Sequence, residues 1–510
     1  MEQKNLKTSV FSLDTVFSES AEQPIDIDFT LPDYYADISK ILKCRAVSRI
    51  SSKSINGGGI SVEGCVTVTV IYCGSDNCIS SYEYQYPFSK SFDAGLNTDG
   101  CLLFAKTKCE YINCRAVTGR KIDIHGAAGI YVTLKKRKLT DVISDCDDCN
   151  IELLRGSVPA TVPMGCADKY LIIEEEIELG AGQPDIRCII RYDAEASITD
   201  SKILVGKSVV KGEMTVKLLY APEGEASPQT VRYGLPFSQL IEIDGITDEC
   251  ECESKVNIAH LEIKPRVSAT GECRHLMLTA KLLITSECCC NNDVAVILDA
   301  YSRKYEADIC KNEVCFNKIC ENINQSFSCK KSLDFAQGAL ASVVDMWCEV
   351  KTDSVKFSDN AMRVCGTVTA YIIAKDSDLT PTFYEKTIDF EYTHPMNVTG
   401  EFKCTPEITV TNTNYTLTGE HNMELRIELN ISASIYKCSS LPLITDIAVN
   451  DIKPQVKEKH GAMTIYFASS GDGIWGIAKR YFADVDELKQ INEIDDDVLT
   501  DDKMILIPNN

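Results

Sequence analysis

Polar and apolar residues alternate along most of this chain, which is the period of a β-strand with one buried face. The alternating segments are short, are rich in Val, Ile, Thr and Tyr, and are separated by Gly, Asn and Asp. Clear examples are residues 66–72, 130–134, 276–284 and 425–435. Outside the C-terminus, short helices are predicted only near residues 34–42, 185–191 and 335–343. The pattern predicts a mainly β fold.

One set of landmarks recurs along the chain in a constant order. An Asp-Ile pair is followed by a strand that begins with Gly, and then by a Phe in a later strand. The landmarks are Asp37, Gly64 and Phe88 in the first copy, Asp185, Gly212 and Phe237 in the second, and Gly366 and Phe390 in the divergent third. The glycines are 148 and 154 residues apart, so a domain of about 150 residues is predicted to be repeated.

The repeats predict how the chain is divided. We expect three tandem β-sandwich or barrel-like domains at residues 1–155, 156–310 and 311–449. Residues 450–462 are polar, carry one Pro and lack periodicity, so an exposed linker is predicted there. Residues 463–510 form the last domain. A chain of 510 residues is too long for one core, which agrees with such a division.

Helical spacing is clear only in the last domain. The apolar residues between positions 474 and 481 fall on one helical face, and Asp484 with Glu487 forms the capping box of a second helix. Strands are predicted on either side, at residues 463–468 and 504–507. The predicted order is βααβ, and so small a core leaves nearly every apolar residue with a structural role.

Charge and composition narrow the choice of partners. The net charge of −23 argues against nucleic acid. No apolar run approaches 18 residues, so no transmembrane segment is predicted, and no signal peptide is visible at the N-terminus. The 25 cysteines in a chain without an export signal predict reduced thiols.

Patterns that carry catalysis, cofactors or metals are missing from the sequence. None of the six histidines has a second His at metal-ligand spacing, and there is no phosphate-binding loop or nucleophile elbow. We interpret the cysteine clusters at residues 146–149, 250–252 and 288–290 as loop or strand-end thiols, because further zinc ligands are lacking. The basic run at residues 135–138 is either a contact for an anionic surface or a solvated strand end. We predict a non-catalytic protein without a cofactor or metal.

The last domain resembles a LysM module. The resemblance is carried by residues 471–481, 487–488, 491–492 and 505–508. LysM modules usually bind glycans that contain N-acetylglucosamine, and some bind proteins, in a groove between the first strand–helix loop and the second helix–strand loop. The resemblance implies a partner-binding site made of Ser470, Gly471, Asp472, Gly473, Ile474, Trp475, Lys479, Ile494, Asp495 and Asp501.

The groove departs from the family in ways that bear on the ligand. Gly473 stands where the family commonly has a hydroxyl residue, and Asp501-Asp502-Lys503 replaces Pro-Gly-Gln. Residues 463–510 hold ten acids and four bases, and five aspartates lie in the second loop. A neutral glycan gains little electrostatic attraction from this negative charge, whereas a basic protein surface gains much. For Trp475, ligand contact and core packing both remain open.

The three repeats resemble the SPOCS domain, a family of spore-associated repeats. The resemblance rests on Leu31-Pro32, the Asp-Ile pair and the Gly-x-Val-Thr-Val strand at residues 64–68, and it weakens from the first copy to the third. SPOCS copies followed by one LysM module form the layout of the SipL-like family of clostridial spore coat morphogenesis proteins.

That layout implies a scaffold in spore coat assembly. It implies a location in the mother-cell cytoplasm at the forespore surface, with the LysM module bound to the coat-basement ATPase, stage IV sporulation protein A. Other coat proteins are further possible partners. The alternative is a peptidoglycan- or N-acetylglucosamine-binding protein of the cell wall or cortex. A third hypothesis, an enzyme of unknown class, has no motif in its favour.

Overall fold

A computed structural model describes residues 5–148, 150–224, 227–268, 271–335, 340–419, 421–456 and 463–508. The described chain is mainly β, which confirms the fold class predicted from the alternation. Three units of long antiparallel strands are followed by a small module that contains the two helices of the described residues.

The units have nearly the same element order. The first contains β1 (Asn5–Thr30), β2 (Ile38–Asn56), β3 (Gly59–Gly74), β4 (Ile79–Asp93), β5 (Cys101–Ala116) and β6 (Lys121–Cys146). The second contains β7 (Ile151–Glu178), β8 (Ile186–Leu204), β9 (Lys207–Pro222), β10 (Gln229–Glu242), β11 (Glu251–Arg266) and β12 (His275–Ser302). The third contains β13 (Tyr305–Asp334), β14 (Leu340–Ser358), β15 (Ala361–Asp376), β16 (Pro381–Pro395), β17 (Glu401–Cys404), β18 (Glu407–Leu417) and β19 (Asn422–Pro454). The C-terminal module contains β20 (Met463–Ala468), α1 (Ile474–Tyr481), α2 (Val485–Ile491) and β21 (Lys503–Pro508).

Each unit packs two antiparallel sheets around one core. In the first unit the sheets have the strand orders β1-β6-β5 and β2-β3-β4. The second unit repeats them as β7-β12-β11 and β8-β9-β10, and the third as β13-β19 with β17 and β18, and β14-β15-β16. One large apolar cluster lies between the sheets of each unit.

The glycine and phenylalanine landmarks are partners in the sheets. Gly64 lies directly opposite Phe88 in the register of β3 and β4. The same pairing joins Gly212 to Phe237 and Gly366 to Phe390. A Cβ at any of these glycines would overlap the facing phenylalanine ring and a backbone oxygen of the neighbouring strand. The aromatic ring therefore covers the bare backbone of the glycine, and the repeated pattern is a packing motif.

The Asp-Ile landmark is a pinned turn, so the helices predicted at residues 34–42 and 185–191 are wrong. Arg120 donates to the Asp37 carboxylate at 2.6 Å and to the Pro32 carbonyl at 2.6 Å. Arg274 donates to Asp185 at 3.0 Å in the second unit. The guanidinium holds each turn in place, and the next strand starts at once, at Ile38 and Ile186. Of the third predicted helix, residues 340–343 are strand and 336–339 lie outside the described residues.

The three units meet around an approximate three-fold axis. Ile71, Leu219 and Ile373 occupy equivalent positions of the three units and pack in one buried cluster. Two further clusters contain the equivalent sets Ile143, Ile297 and Ile444, and Val142, Val296 and Leu443. The repeat in the sequence is therefore also a repeat in space, with strand surfaces of all three units buried against each other.

The start of the predicted linker is part of a strand. β19 continues to Pro454, which lies opposite Tyr305, and the Gln455 N–H donates to the Lys304 carbonyl at 2.9 Å. Asn450 and Pro454 are thus paired with β13, and the register is irregular between them. Residues 457–462 of the predicted linker lie outside the described residues. The boundaries of the predicted domains remain predictions.

Candidate partner-binding site

The C-terminal module has the predicted βααβ order. β20 and β21 pair antiparallel, and the apolar faces of α1 and α2 pack in a common core with them. The Asp484 carboxylate accepts from the Glu487 N–H at 3.0 Å, which is the N-cap that the sequence predicts for α2. This small core holds the two loops that would form a binding groove.

Backbone hydrogen bonds hold the two loops side by side. The first loop is residues 469–473 and the second is residues 492–502. The Gly471 N–H donates to the Leu499 carbonyl at 2.8 Å, and the Ile474 N–H donates to the Asp497 carbonyl at 2.9 Å. The Ser470 hydroxyl donates to the Thr500 carbonyl at 2.7 Å. Gly471 has a φ of +94°, a left-handed conformation that suits glycine. The two loops are therefore fixed relative to each other.

The residues predicted for the site fall into three groups. Ser470, Gly471, Asp495 and Asp501 are exposed, and Asp472, Gly473, Trp475 and Lys479 are half-buried. Ile474 and Ile494 are buried, at 0% and 8% exposure, so they hold the loops in place from inside the core. The Asp472 carboxylate accepts from the Ser469 N–H at 2.9 Å and shapes the first loop. Partner contact by the exposed members remains a prediction.

The second loop concentrates negative charge. Asp497 pairs with Lys489 at 2.6 Å, and Asp502 accepts from the Ser470 N–H at 2.8 Å. Among the residues that the structure describes, Asp495, Asp496 and Asp501 have no ion-pair partner. An exposed, unpaired carboxylate beside a fixed groove is free to meet a cation of another molecule.

Helix α1 is docked on the second unit through Asp299. The Trp475 indole N–H donates to the Asp299 carboxylate at 2.9 Å, and Lys479 donates to it at 2.6 Å. The Tyr301 ring meets Trp475 edge-on at 5.0 Å, and the Tyr301 hydroxyl donates to the Ala483 carbonyl at 2.7 Å. Trp475 thus packs at a contact between the module and the second unit. Sequence reasoning missed Asp299 and Tyr301 because they lie about 180 positions away, without a local signal.

The docking changes the acidity of Asp299. Burial alone would raise the pKa of Asp299, but hydrogen bonds from Lys311, Lys479 and Trp475 lower the pKa to about 2. A second ion pair joins Arg303 of the second unit to Asp484 of the module. Asp299 is therefore charged at neutral pH, and both Asp299 and Asp484 have a cation beside them.

Four cysteines differ from the predicted reduced thiols. Cys250 is joined to Cys290, and Cys252 to Cys288, across the antiparallel pair β11 and β12. The register places Cys252 directly opposite Cys288, a proximity that the linear spacing does not reveal. Cys149 of the cluster at residues 146–149 lies outside the described residues. Within the described ranges, no group of three or more His, Cys, Asp or Glu has the arrangement of a metal site.

The basic run at residues 135–138 lies in the middle of β6, and its side chains have partners within the chain. Lys135 and Arg137 lie over the rings of Phe104 and Phe11. Lys136 donates to the Asn97 carbonyl at 3.2 Å. The run is a paired part of a strand rather than a solvated strand end.

Family models match three stretches of the chain. The SipL, SPOCS domain model matches residues 37–117 and 185–266, which contain β2–β5 and β8–β11. The LysM domain model matches residues 469–508. The third unit lies outside both matches. No curated protein and no solved structure matches this chain.

The fold and the matches together describe a chain that carries SPOCS domains and a C-terminal LysM domain. These matches make the chain similar to SipL-like proteins and support a sporulation-related LysM scaffold or binding protein. Neither helix of the described residues has the length and apolar character to span a membrane.

Proposed function

We propose that this chain is a non-catalytic adaptor of spore coat assembly. Its LysM domain binds a coat-basement morphogenetic ATPase, stage IV sporulation protein A, at the forespore surface on the side of the mother-cell cytoplasm. The partner follows from the SipL-like layout, and the division into three SPOCS-type domains, a linker and a LysM domain belongs to the same proposal.

The exposed aspartates of the LysM loops carry the proposal. Asp495 and Asp501 lie in a loop that backbone hydrogen bonds fix against the first loop, and neither has an ion-pair partner among the described residues. A protein surface with lysines or arginines gains Coulomb energy there, whereas a neutral sugar gains none. The field favours a protein partner over the glycan that LysM domains usually bind.

The body of the protein suits a scaffold. Three units buried against each other form a platform, and the docked LysM domain projects from a fixed place on it. Weak contacts of the platform with other coat components would add to LysM binding through effective concentration.

The test is a titration of the full-length protein with the purified ATPase and, separately, with chitin oligomers. We expect ATPase binding that weakens about ten-fold in the double variant Asp495→Lys with Asp501→Lys, because two attractive charges become repulsive. Glu174→Lys is the control, since Glu174 is exposed on β7 away from the module and should leave affinity unchanged. Binding should also weaken as the salt concentration rises from about 0.05 M to about 0.5 M.

Two results would contradict the proposal. Binding to chitin oligomers without any binding to the ATPase would favour the cell-wall alternative. ATPase binding of equal strength in the wild type, the double variant and the control would show that Asp495 and Asp501 do not contribute to the interaction.

A further inference from the structure

A cleft of 580 Å³ opens between the docked LysM domain and the first residues of the second unit. Its lining combines polar and apolar side chains, which come from both sides of the contact, and the apolar ones are called its floor below. The apolar residues are Ile151, Leu153, Leu154, Trp475 and Val485. Carboxylates stand around this floor: Asp147, Asp148, Glu152, Asp486 and Asp497. Two structural domains therefore build one surface that combines apolar area with negative charge.

The cations at this cleft are already paired. Arg155 pairs with Asp145 at 2.7 Å, and Lys489 pairs with Asp497 at 2.6 Å. Among the described residues, Asp147 and Asp486 have no ion-pair partner, and one stands on each side of the cleft. The cleft keeps an uncompensated negative charge on both of its walls.

The pKa of Glu152, which lines the cleft, is raised by burial and by nearby negative charge. Glu152 forms an ion pair with Arg303 at 3.1 Å, yet burial and then the charge of Asp484 raise its pKa above the ordinary value. Carboxylates thus outnumber the nearby cations, and an added cation would relieve their repulsion.

The cleft is held open in one shape. Trp475 is fixed by its hydrogen bond to Asp299, and Tyr301 fixes the end of α1 through the Ala483 carbonyl. The cleft also adjoins the second LysM loop, because Asp497 lines the cleft and its carbonyl accepts from the Ile474 N–H. A ligand bound here would lose little binding free energy to the ordering of the protein.

We propose that this cleft is a second half of the partner-binding surface, and that it receives a segment of the partner protein with lysine or arginine next to an apolar side chain. A basic group alone would pair with Asp147 and Asp486 but would leave the apolar residues around Leu153 exposed to water. An apolar group alone would leave the carboxylates unpaired. The identity of the partner rests on the proposed function, whereas the chemistry of the segment rests on the cleft.

A composite surface also explains why the docking of α1 matters for binding. The LysM loops alone offer charge, and the apolar floor exists only while the second unit stands against the helix pair. Selection of the partner would then require the whole chain and not the LysM domain by itself.

The experiment uses the full-length chain, with two probes. The first probe is the purified ATPase. The second is a short synthetic peptide in which lysines alternate with leucines, with a matched peptide that has serines in place of the leucines. Each is titrated against the wild type, Asp147→Lys, Asp486→Lys and the control Glu174→Lys. Thermal unfolding of each variant checks that the fold is kept, and both aspartates are outside the core.

We expect each cleft variant to weaken ATPase and lysine–leucine peptide binding about five-fold, with the control unchanged. The lysine–serine peptide should bind at least about three-fold more weakly than the lysine–leucine peptide, because it leaves the floor exposed. Equal binding of the wild type and both cleft variants to the peptide and the ATPase would overturn the cleft and leave the proposed function standing. Peptide binding that depends on Asp147 and Asp486, without any ATPase binding, would keep the cleft and reject the partner.

Discussion

Asp345 in the body and Asp501 in the LysM domain show opposite uses of a carboxylate. The Asp345 side chain is fully buried, and Arg191 and Lys217 approach it to 2.7 and 2.6 Å. Asp501 is exposed and has no ion-pair partner in the described part of the chain. This protein uses buried charge to join its own units and leaves exposed charge available to another molecule.

The buried cluster also shows how the repeats diverged. Lys43, Arg191 and Asp345 occupy equivalent positions of β2, β8 and β14, and Arg191 of the second unit binds Asp345 of the third. Arg45 of the first unit binds Asp193 of the second at 2.5 Å. Identical copies would place like charges together at the axis, so opposite charges at equivalent positions favour the contact of unlike neighbours.

The largest expected effect comes from Asp345. Although burial opposes its ionisation, Arg191 and Lys217 hold the pKa of Asp345 below the ordinary value. Asp345→Asn removes the carboxylate that pairs with Lys217 and leaves the buried Arg191 with Asp193 alone, and we expect a loss of about 3–5 kcal/mol in the free energy of unfolding. Denaturation in urea measures it. Glu349→Gln is the control, because Glu349 is 52% exposed beside Arg45 and should cost less than about 1 kcal/mol. Equal losses of unfolding free energy in both variants would show that the buried and the exposed carboxylate contribute equally to stability.

The glycine–phenylalanine pairs predict a smaller effect within one unit. Gly64→Ala places a methyl group against the Phe88 ring and the Arg49 carbonyl, and we expect a loss of about 1–3 kcal/mol. Gly182→Ala is the matched control, since a Cβ there meets no atom within 4 Å. Thermal unfolding compares the two. The packing interpretation fails if Gly64→Ala is as stable as Gly182→Ala.

The smallest expected effect is at the docked helix, where the half-buried carboxylate of Asp299 joins the LysM domain to the body. Asp299→Asn weakens the hydrogen bonds from Trp475 and Lys479, and we expect a loss of about 1–2 kcal/mol at neutral pH. Because the pKa of Asp299 is lowered in the folded chain, its contribution is present above the unfolded pKa and is lost as the pH falls through about 2.

Tryptophan fluorescence follows this docking, in a Trp347→Phe background that leaves Trp475 as the single reporter. The wild-type background should show an acid transition of the Trp475 signal that Asp299→Asn lacks. An identical acid profile in the two proteins would show that Asp299 does not hold the module.

Local pattern predicted much of this molecule. The alternation predicted the β class, and the landmarks Gly64 and Phe88 marked a motif whose members face each other across two strands. The helix predicted at residues 34–42 was wrong: this segment is a turn, in which the Asp37 carboxylate binds Arg120, 83 residues away. In the site, the loops were placed by their turn residues, whereas the burial of Ile494 was missed because a loop position gives no periodicity.

The sequence by itself determined the class of fold, the repeat and the LysM domain, because strand alternation, turn residues and helix caps act between residues near each other in the chain. Only the tertiary structure decided which charges are buried and which face of α1 is covered. Arg191 and Asp345 are 154 residues apart, and Trp475 and Asp299 are 176 residues apart. Such pairs form because the packing of whole units excludes water from the charged side chains. A desolvated charge is stable only when a partner lies beside it.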